Sequence, residues 1–237
     1  MTFLRPAVLS AALALVAIAA HATPLTGVFA VTVSEGLTNG SGFDTTGGNP
    51  FSGNNSASAT FTYTGGINFS NTAAQNGPGP AGDTNAAFGF STSNVSGYSG
   101  SGTVTYGTQQ VADYGSLSSF LLSSGSSSGF DYGSYYTFDL GTLAANTILT
   151  ITHDDGISVY QGGNRVGSSA SGATSVTTDT ITLASGGDTM LRYARENGTP
   201  SVLQVSAVAA TPEPSSLALL GTGLLGMAGM IRRRMTA

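Results

Sequence analysis

Residues 147–163 read Thr-Ile-Leu-Thr-Ile-Thr-His-Asp-Asp-Gly-Ile-Ser-Val-Tyr-Gln-Gly-Gly, and this stretch decides the fold. Thr147–His153 consists mostly of β-branched residues, with Leu149 and Ile151 on one face, and β-branched and aromatic residues return in Ile157–Tyr160. Short runs of such residues predict strands. Asp154-Asp155-Gly156 interrupts the pattern, so we expect two strands separated by a turn that presents two adjacent carboxylates.

The chain on either side of this turn repeats the same arrangement of short strands and glycine-containing turns. Further strands are predicted at Tyr135–Leu140, Ser175–Leu183, Thr189–Ala194 and Val202–Val208. Short strands at regular spacing predict an all-β fold, an antiparallel β-sandwich or jelly roll, for the body at residues 23–210. Long helices are expected only at the two ends, where a signal helix and a transmembrane helix would flank the body.

The first half of the body carries weaker strand signals. Gly27–Val33 alternates, and Ala57–Tyr63 followed by Gly65-Gly66 and Ile67–Phe69 predicts a β-hairpin. Additional short strands are predicted at Ala87–Phe90, Thr103–Tyr106 and Leu117–Leu122. The glycine-, serine- and asparagine-rich segments between them are predicted loops.

Composition limits the classes of function that are open to the body. The chain has no cysteine and no lysine, which excludes disulfides, a thiolate nucleophile and a cysteine-bound zinc. Residues 23–210 hold three arginines and eleven Asp or Glu residues, so their net charge is −8. Nucleic acids and anionic lipids bind clusters of Lys and Arg, so neither is an expected partner. Cations and neutral sugars are the more expected partners of a surface with this negative charge.

The N-terminus has the three parts of a secretory signal peptide at residues 1–22. Arg5 supplies the positive charge, Ala7–Ala20 is apolar, and Ala20 and Ala22 form a small-x-small cleavage site. We therefore expect export and a mature chain that begins at Thr23.

The C-terminal residues 211–237 also have a three-part order. Pro212-Glu213-Pro214 comes first, an uncharged run at residues 215–231 follows, and Arg232, Arg233 and Arg234 come last. As a helix the run is about 25 Å long, near the short limit for a membrane span, and the arginines would hold its end in the cytoplasm. This order resembles the PEP-CTERM sorting signal of Gram-negative bacteria that secrete exopolysaccharide.

The resemblance implies a route for the protein. The tail would anchor the exported chain in the inner membrane, and an exosortase would cut it near Pro212-Glu213-Pro214. The body would then reach the cell surface or the extracellular matrix, in association with exopolysaccharide or a biofilm.

Residues 135–208 resemble the core of PA14-like β-sandwich modules, which include the yeast flocculin and adhesin lectins. The resemblance rests on Asp154-Asp155-Gly156 at a strand end and on Tyr193 with Asn197-Gly198 before a final strand. In the lectin branch the Asp pair is joined by a cis peptide and holds Ca²⁺ together with a later Asn, and the ion takes sugar hydroxyls. The resemblance thus implies Ca²⁺ as a cofactor on Asp154, Asp155 and Asn197, and polysaccharide as a partner.

The residues themselves leave two interpretations of this turn open. Adjacent carboxylates repel unless a cation or hydrogen-bond donors lie between them, and Ca²⁺ takes about six to eight oxygen ligands of this kind. The alternative is a structural turn in which Asp only caps the backbone. His153 is expected to be a packed or half-exposed ring rather than a catalyst or a metal ligand.

Three classes of function follow. The first is a non-enzymatic surface or matrix protein that binds polysaccharide through Ca²⁺, and the second is a structural matrix protein without a ligand site. The third, a secreted hydrolase, would need a complete triad or two carboxylates about 5–9 Å apart across a groove. The sequence shows neither arrangement, so we assign no catalytic residue. We expect that the chain is not an enzyme.

Overall fold

The computed structural model of the chain describes residues 23–73, 79, 81–209, 223 and 227. Within these residues the chain forms two short helices, α1 (Asn85–Phe88) and α2 (Leu117–Leu122). It also forms the strands β1 (Thr23–Pro24), β2 (Thr26–Leu37), β3 (Ser56–Gly66), β4 (Asn68–Asn71), β5 (Val95–Tyr106), β6 (Gln109–Asp113), β7 (Tyr132–Leu143), β8 (Ile148–Asp154), β9 (Ile157–Gln161), β10 (Asn164–Val166), β11 (Thr177–Thr182), β12 (Gly187–Arg195) and β13 (Ser201–Val208).

The strands form two sheets in which all the paired strands are antiparallel. The smaller sheet has the order β1-β13-β8-β11, and β4 shares with β1 the outer edge of β13. The larger sheet has the order β10-β9-β12-β7-β2-β3-β5-β6. The predicted all-β, antiparallel, sandwich-like body is therefore confirmed, as are the strands predicted from residue 135 to residue 208.

Aromatic side chains fill the space between the two sheets. In β2 the alternate residues Phe29 and Val31 are buried, whereas the residues between them are exposed, as expected for a strand with one face in the core. Phe69 of β4 lies 4.8 Å from Phe90 and 5.9 Å from Phe138 of β7, measured between ring centroids. These ring contacts join the smaller sheet to the larger one.

Two of the predicted strands are helices instead. Leu117–Leu122 forms α2, and α1 overlaps the strand predicted at Ala87–Phe90. Ser116 and Ser119 begin α2 with a capping box, in which each side chain accepts the backbone N–H of the other at 3.1 Å. Such caps satisfy N–H groups that a helix start leaves free, so they outweigh the strand propensity of the apolar residues.

The hairpin predicted across Gly65-Gly66 is also wrong. β3 pairs with β2 and β5 in the larger sheet, whereas β4 pairs with β13 in the smaller sheet. The Ile67 N–H donates to the Leu25 carbonyl at 3.0 Å, and the Val205 N–H donates to the Ile67 carbonyl at 2.8 Å. The chain therefore changes sheet at the glycine pair, which permits such a crossing as readily as a tight turn.

The predicted terminal segments lie outside the described residues. This applies to the signal peptide at residues 1–22 and to the sorting segment at residues 211–237, except that Gly223 and Met227 have helical backbone. No helix in the described part of the chain has the length and hydropathy needed to cross a membrane. The signal helix and the transmembrane helix at residues 215–231 therefore stay predictions.

The Asp154-Asp155-Gly156 turn carries the chain from β8 in the smaller sheet to β9 in the larger sheet. Residues 167–176, which we call the crossing loop, lie against this turn, and the Ile157 N–H donates to the Ala170 carbonyl at 2.8 Å. A Cβ atom on Gly156 would overlap the carbonyl group of Ser171. Glycine is needed here because two backbone segments approach each other closely.

Buried charged residues lie in the same core. Arg195 is 0% exposed and forms an ion pair with Asp83, which is also fully buried. Glu35 accepts the Tyr114 hydroxyl at 2.6 Å and the Ser134 hydroxyl at 3.2 Å through Oε2. Its Oε1 has no hydrogen-bond partner among the described residues. Burial raises the pKa of Glu35 to about 8, against the lowering effect of the two hydroxyl donors.

We expect Glu35→Gln to make the stability of the protein less dependent on pH. Unfolded Glu35 loses its proton near its ordinary pKa of 4.5, whereas folded Glu35 keeps it up to about pH 8. The free energy of unfolding should therefore fall as pH rises through this window, by up to about 1.4 kcal/mol per pH unit. Thermal unfolding of both proteins at pH 5 and pH 8 measures this effect, and equal losses of stability in the two would contradict it.

Gly156→Ala should destabilise the fold by about 1–3 kcal/mol, the usual cost of inserting a methyl group into packed surroundings. Gly48→Ala is the matched control, because a Cβ atom on Gly48 would meet no atom within 4 Å. Thermal melts of the two variants and the wild type compare them. If Gly156→Ala has the same melting temperature as Gly48→Ala, the crossing loop is not packed tightly against the turn.

Candidate cation site

The candidate site lies at the C-terminal end of β8, where Asp154 and Asp155 are both buried. The peptide bond between them is cis, as the resemblance to the lectins implies. Oδ2 of Asp155 accepts the backbone N–H of Glu196 at 2.7 Å and that of Asn197 at 3.0 Å. Oδ1 faces the N–H of Thr174 at 3.4 Å. One carboxylate thus joins β8, the crossing loop and the loop that follows β12.

Both carboxyl groups of the pair have raised pKa values. Burial raises the pKa of Asp154 to about 7, and the adjacent charge of Asp155 adds to this effect. Burial also raises the pKa of Asp155, and the backbone N–H donors of Asn197, Glu196 and Thr174 oppose the rise. Two carboxyl groups this close either share a proton or need a cation between them.

The structure brings the third predicted ligand, Asn197, to the Asp pair. The Asn197 N–H is bonded to Asp155, and the side-chain Oδ1 of Asn197 is buried without a hydrogen-bond partner among the described residues. An amide oxygen left in this condition costs about 1–3 kcal/mol. In native proteins such an atom requires an explanation, and a bound ion or an ordered water is one of them. Asn197 therefore supplies an acceptor that no residue in the described part of the chain uses.

Glu196 is a further oxygen-bearing residue of the site, and sequence reasoning missed it. It is 0% exposed, and burial raises its pKa to about 7. Oε2 accepts the Phe43 N–H at 2.8 Å, and Oε1 has no partner within the described part of the chain. The available signal was an acid directly before the Asn197-Gly198 turn.

A cation at this site would be bound by oxygen atoms of different chemical groups. In the described residues no three His, Asp or Glu side chains converge in a geometry that could hold a metal ion. A cation on the Asp154–Asp155 pair would therefore need the amide oxygen of Asn197 and backbone oxygens as further ligands. Ca²⁺ accepts such a set, because it binds carboxylate, amide and carbonyl oxygens in flexible geometry.

His153 makes structural contacts at the turn. The ring is fully buried, with Nδ1 at 2.5 Å from the Asp155 carbonyl oxygen and Nε2 at 3.1 Å from Oδ2 of Asp179. Tyr193 donates its hydroxyl to the carbonyl of Asp154. Both ring nitrogens of His153 have acceptors, so the histidine is packed as predicted.

The body is similar to solved PA14 domains. The PA14 domain of the MpAFP antifreeze protein is 16% identical over 82% of this chain and 89% of that chain, with a TM-score of 0.39. The PA14 sugar-binding domain from an RTX adhesin is 12% identical over 76% of this chain and 87% of that chain, with a TM-score of 0.40. No curated protein sequence matches the chain.

The C-terminal tail matches the PEP-CTERM protein-sorting motif over residues 210–234. The matched segment contains Pro212-Glu213-Pro214, the apolar run and the arginines at positions 232 to 234. The resemblance of residues 211–237 to this sorting signal is therefore confirmed. The chain therefore carries a PEP-CTERM protein-sorting motif at its C-terminal end.

Proposed function

We propose that the chain is an exported, non-enzymatic surface protein that holds Ca²⁺ on Asp154, Asp155 and Asn197. Through this ion it binds hydroxyl groups of a polysaccharide. The observation that carries the proposal is the buried Oδ1 of Asn197, which has no hydrogen-bond partner among the described residues and belongs to the residue whose N–H is bonded to Asp155.

The sorting motif supports the route that we propose. An exosortase acts near Pro212-Glu213-Pro214 while the apolar run at residues 215–231 holds the tail in the inner membrane of a Gram-negative bacterium. The three arginines at positions 232 to 234 keep the far end of the run in the cytoplasm. Cleavage then leaves the body at the cell surface, in association with exopolysaccharide or a biofilm.

The two carboxyl groups have different tasks in this proposal. Asp155 is oriented by the N–H groups of Glu196 and Asn197, so its position is fixed before an ion binds. Asp154, with a pKa of about 7, gives up its proton as the ion binds. When bound, Ca²⁺ offers coordination positions to sugar hydroxyls. The net charge of −8 in residues 23–210 also favours a cation and a neutral sugar over an anionic partner.

A second candidate is a structural matrix protein in which the turn has no ligand. The observation in its favour is that the Asp155 carboxylate already accepts N–H groups from the crossing loop and from the loop after β12. In that case Asp154 and Asp155 share a proton, and the turn serves only to join the two sheets.

Calcium should raise the melting temperature of the full chain, purified in detergent, relative to the same protein in EDTA. A ligand that binds only the folded state stabilises it by about 2.7 kcal/mol at a hundredfold excess over Kd, which corresponds to several degrees at about 2–4 °C per kcal/mol. Asp154→Asn and Asn197→Ala should remove the rise. Asp113→Asn, on β6 far from the site, should keep it.

The calcium-induced rise in melting temperature should also depend on pH. Protons compete with Ca²⁺ for Asp154, whose pKa is about 7, so the rise should be larger at pH 8 than at pH 5. A wild-type melt that is identical in calcium and in EDTA at pH 8 would leave the structural matrix protein as the better account.

Replacing Arg232, Arg233 and Arg234 with Ser should release the chain from the inner membrane, because no positive charge then holds the tail in the cytoplasm. Fractionation of the cells and immunoblotting measure the location and size of the protein. Replacement of Arg165 by Ser is the control, because it removes a positive charge from the body. A chain whose size and location do not change when the exosortase is deleted would contradict the sorting route.

A further inference from the structure

A groove of about 350 Å³ crosses the outer face of the larger sheet. Its line follows the strand register, since Tyr160, Met190, Asp139 and Ala30 are direct neighbours across β9, β12, β7 and β2. Neighbouring strands are about 4.8 Å apart, so the row is about 14 Å long, enough for a short run of sugar units. The volume falls within the range of small-molecule sites, about 300–1,000 Å³.

Tyr160 forms one wall of the groove, and its ring is stacked with Arg192, which lies outside the lining. The guanidinium carbon of Arg192 lies 4.0 Å from the centre of the Tyr160 ring. The Tyr160 hydroxyl donates to the Thr46 carbonyl at 2.8 Å, and Nη1 of Arg192 donates to the Gly47 carbonyl at 2.7 Å. The aromatic ring is therefore held in place before a ligand arrives, which lowers the entropy cost of binding. The guanidinium is already engaged by the ring and by a carbonyl.

The remaining groups of the groove combine apolar surface with negative charge. Met190 is 38% exposed on its floor. Asp139 and Asp188 line it with exposed carboxylates. The Gly141 N–H donates to Asp139 at 2.9 Å, and the Thr142 hydroxyl donates to Asp188, so both carboxylates are oriented. No Lys or Arg belongs to the described lining. These features fit a ligand that has both an apolar face and a positive charge.

We propose that this groove binds a polysaccharide segment that bears free amino groups, that is, a hexosamine polymer without its N-acetyl groups. The C–H face of a sugar ring packs on Tyr160 and Met190, and an ammonium group donates charge-assisted hydrogen bonds to Asp139 and Asp188. The net charge of −8 in residues 23–210 attracts such a polymer and repels an acidic one.

The groove is separate from the candidate cation site. Asp188 lies at the start of β12, and Glu196 directly follows its end, so the two are about 26 Å apart at about 3.3 Å per residue. Binding in the groove therefore needs no calcium, and the inference goes beyond the proposed function.

Calorimetric titration of the full chain in detergent and EDTA with a tetramer of β-1,4-linked glucosamine tests the proposal. The wild type should bind this tetramer, and Asp139→Asn should weaken the binding about tenfold, because a charge-assisted hydrogen bond is lost. Asp113→Asn is the matched control: Asp113 accepts the Gly115 N–H at 2.9 Å, as Asp139 accepts the Gly141 N–H. It removes the same charge on β6 and should leave the affinity unchanged.

A steric variant and a second ligand complete the experiment. Ala30→Phe fills the floor without changing the charge and should also weaken binding. The N-acetylated tetramer, which has no ammonium group, should bind about tenfold more weakly than the glucosamine tetramer. The proposal is overturned if the wild type does not bind the glucosamine tetramer, if both tetramers bind equally, or if Asp113→Asn weakens binding as much as Asp139→Asn. Because EDTA is present throughout, none of these results bears on calcium binding by Asp154 and Asp155.

Discussion

Backbone N–H groups from two loops converge on the carboxylate of Asp155, and the packing of these loops against the Asp154-Asp155-Gly156 turn depends on this interaction. Thr174 comes from the crossing loop, and Glu196 and Asn197 come from the loop after β12. A buried carboxylate is tolerated only when such donors replace its water shell. The same bonds fix Asn197 beside the Asp pair, so the interaction that closes the fold also assembles the candidate ligands.

The loop that carries Glu196 and Asn197 is connected to the core through the end of β12. Arg195, one residue before Glu196, is buried in an ion pair with Asp83 and lies 4.4 Å above the ring of Phe88. Its Nε donates to the Ser201 hydroxyl at 3.1 Å at the start of β13. Breaking a buried pair of this kind by removing one partner leaves an uncompensated charge, at a typical cost of about 3–5 kcal/mol. The loop that carries Asn197 is thus held between two strongly bonded segments.

Much of the fold follows from the sequence, because strands with one face in the core leave a period-two pattern. That pattern identified the strands from residue 135 to residue 208 except the short β10. It failed at Leu117–Leu122, where the Ser116–Ser119 caps select a helix, and at Gly65-Gly66, where the partner of β4 is chosen by distant contacts with β13. Strand pairing over long separations has no local signal, so the assignment of strands to sheets required the structure.

The candidate site could be predicted in part. Two adjacent carboxylates before a glycine are visible in the sequence, and the resemblance to PA14-like lectins added Asn197. The only sequence signal for Glu196 was its position before the Asn197-Gly198 turn, and the donor at Thr174 had none. Both reach Asp155 only after the crossing loop and the loop after β12 have packed against the turn. The need for glycine at position 156 has the same origin, since the crossing loop presses on it.

Calcium binding at the Asp154–Asp155 pair is tested most directly by a crystal structure of the protein grown in millimolar calcium, refined with anomalous data. We expect a peak at the end of β8, about 2.3–2.6 Å from carboxylate oxygens of Asp154 and Asp155 and from Oδ1 of Asn197. An Asp pair that is joined only by a shared proton, with Oδ1 of Asn197 bonded to water, would contradict it.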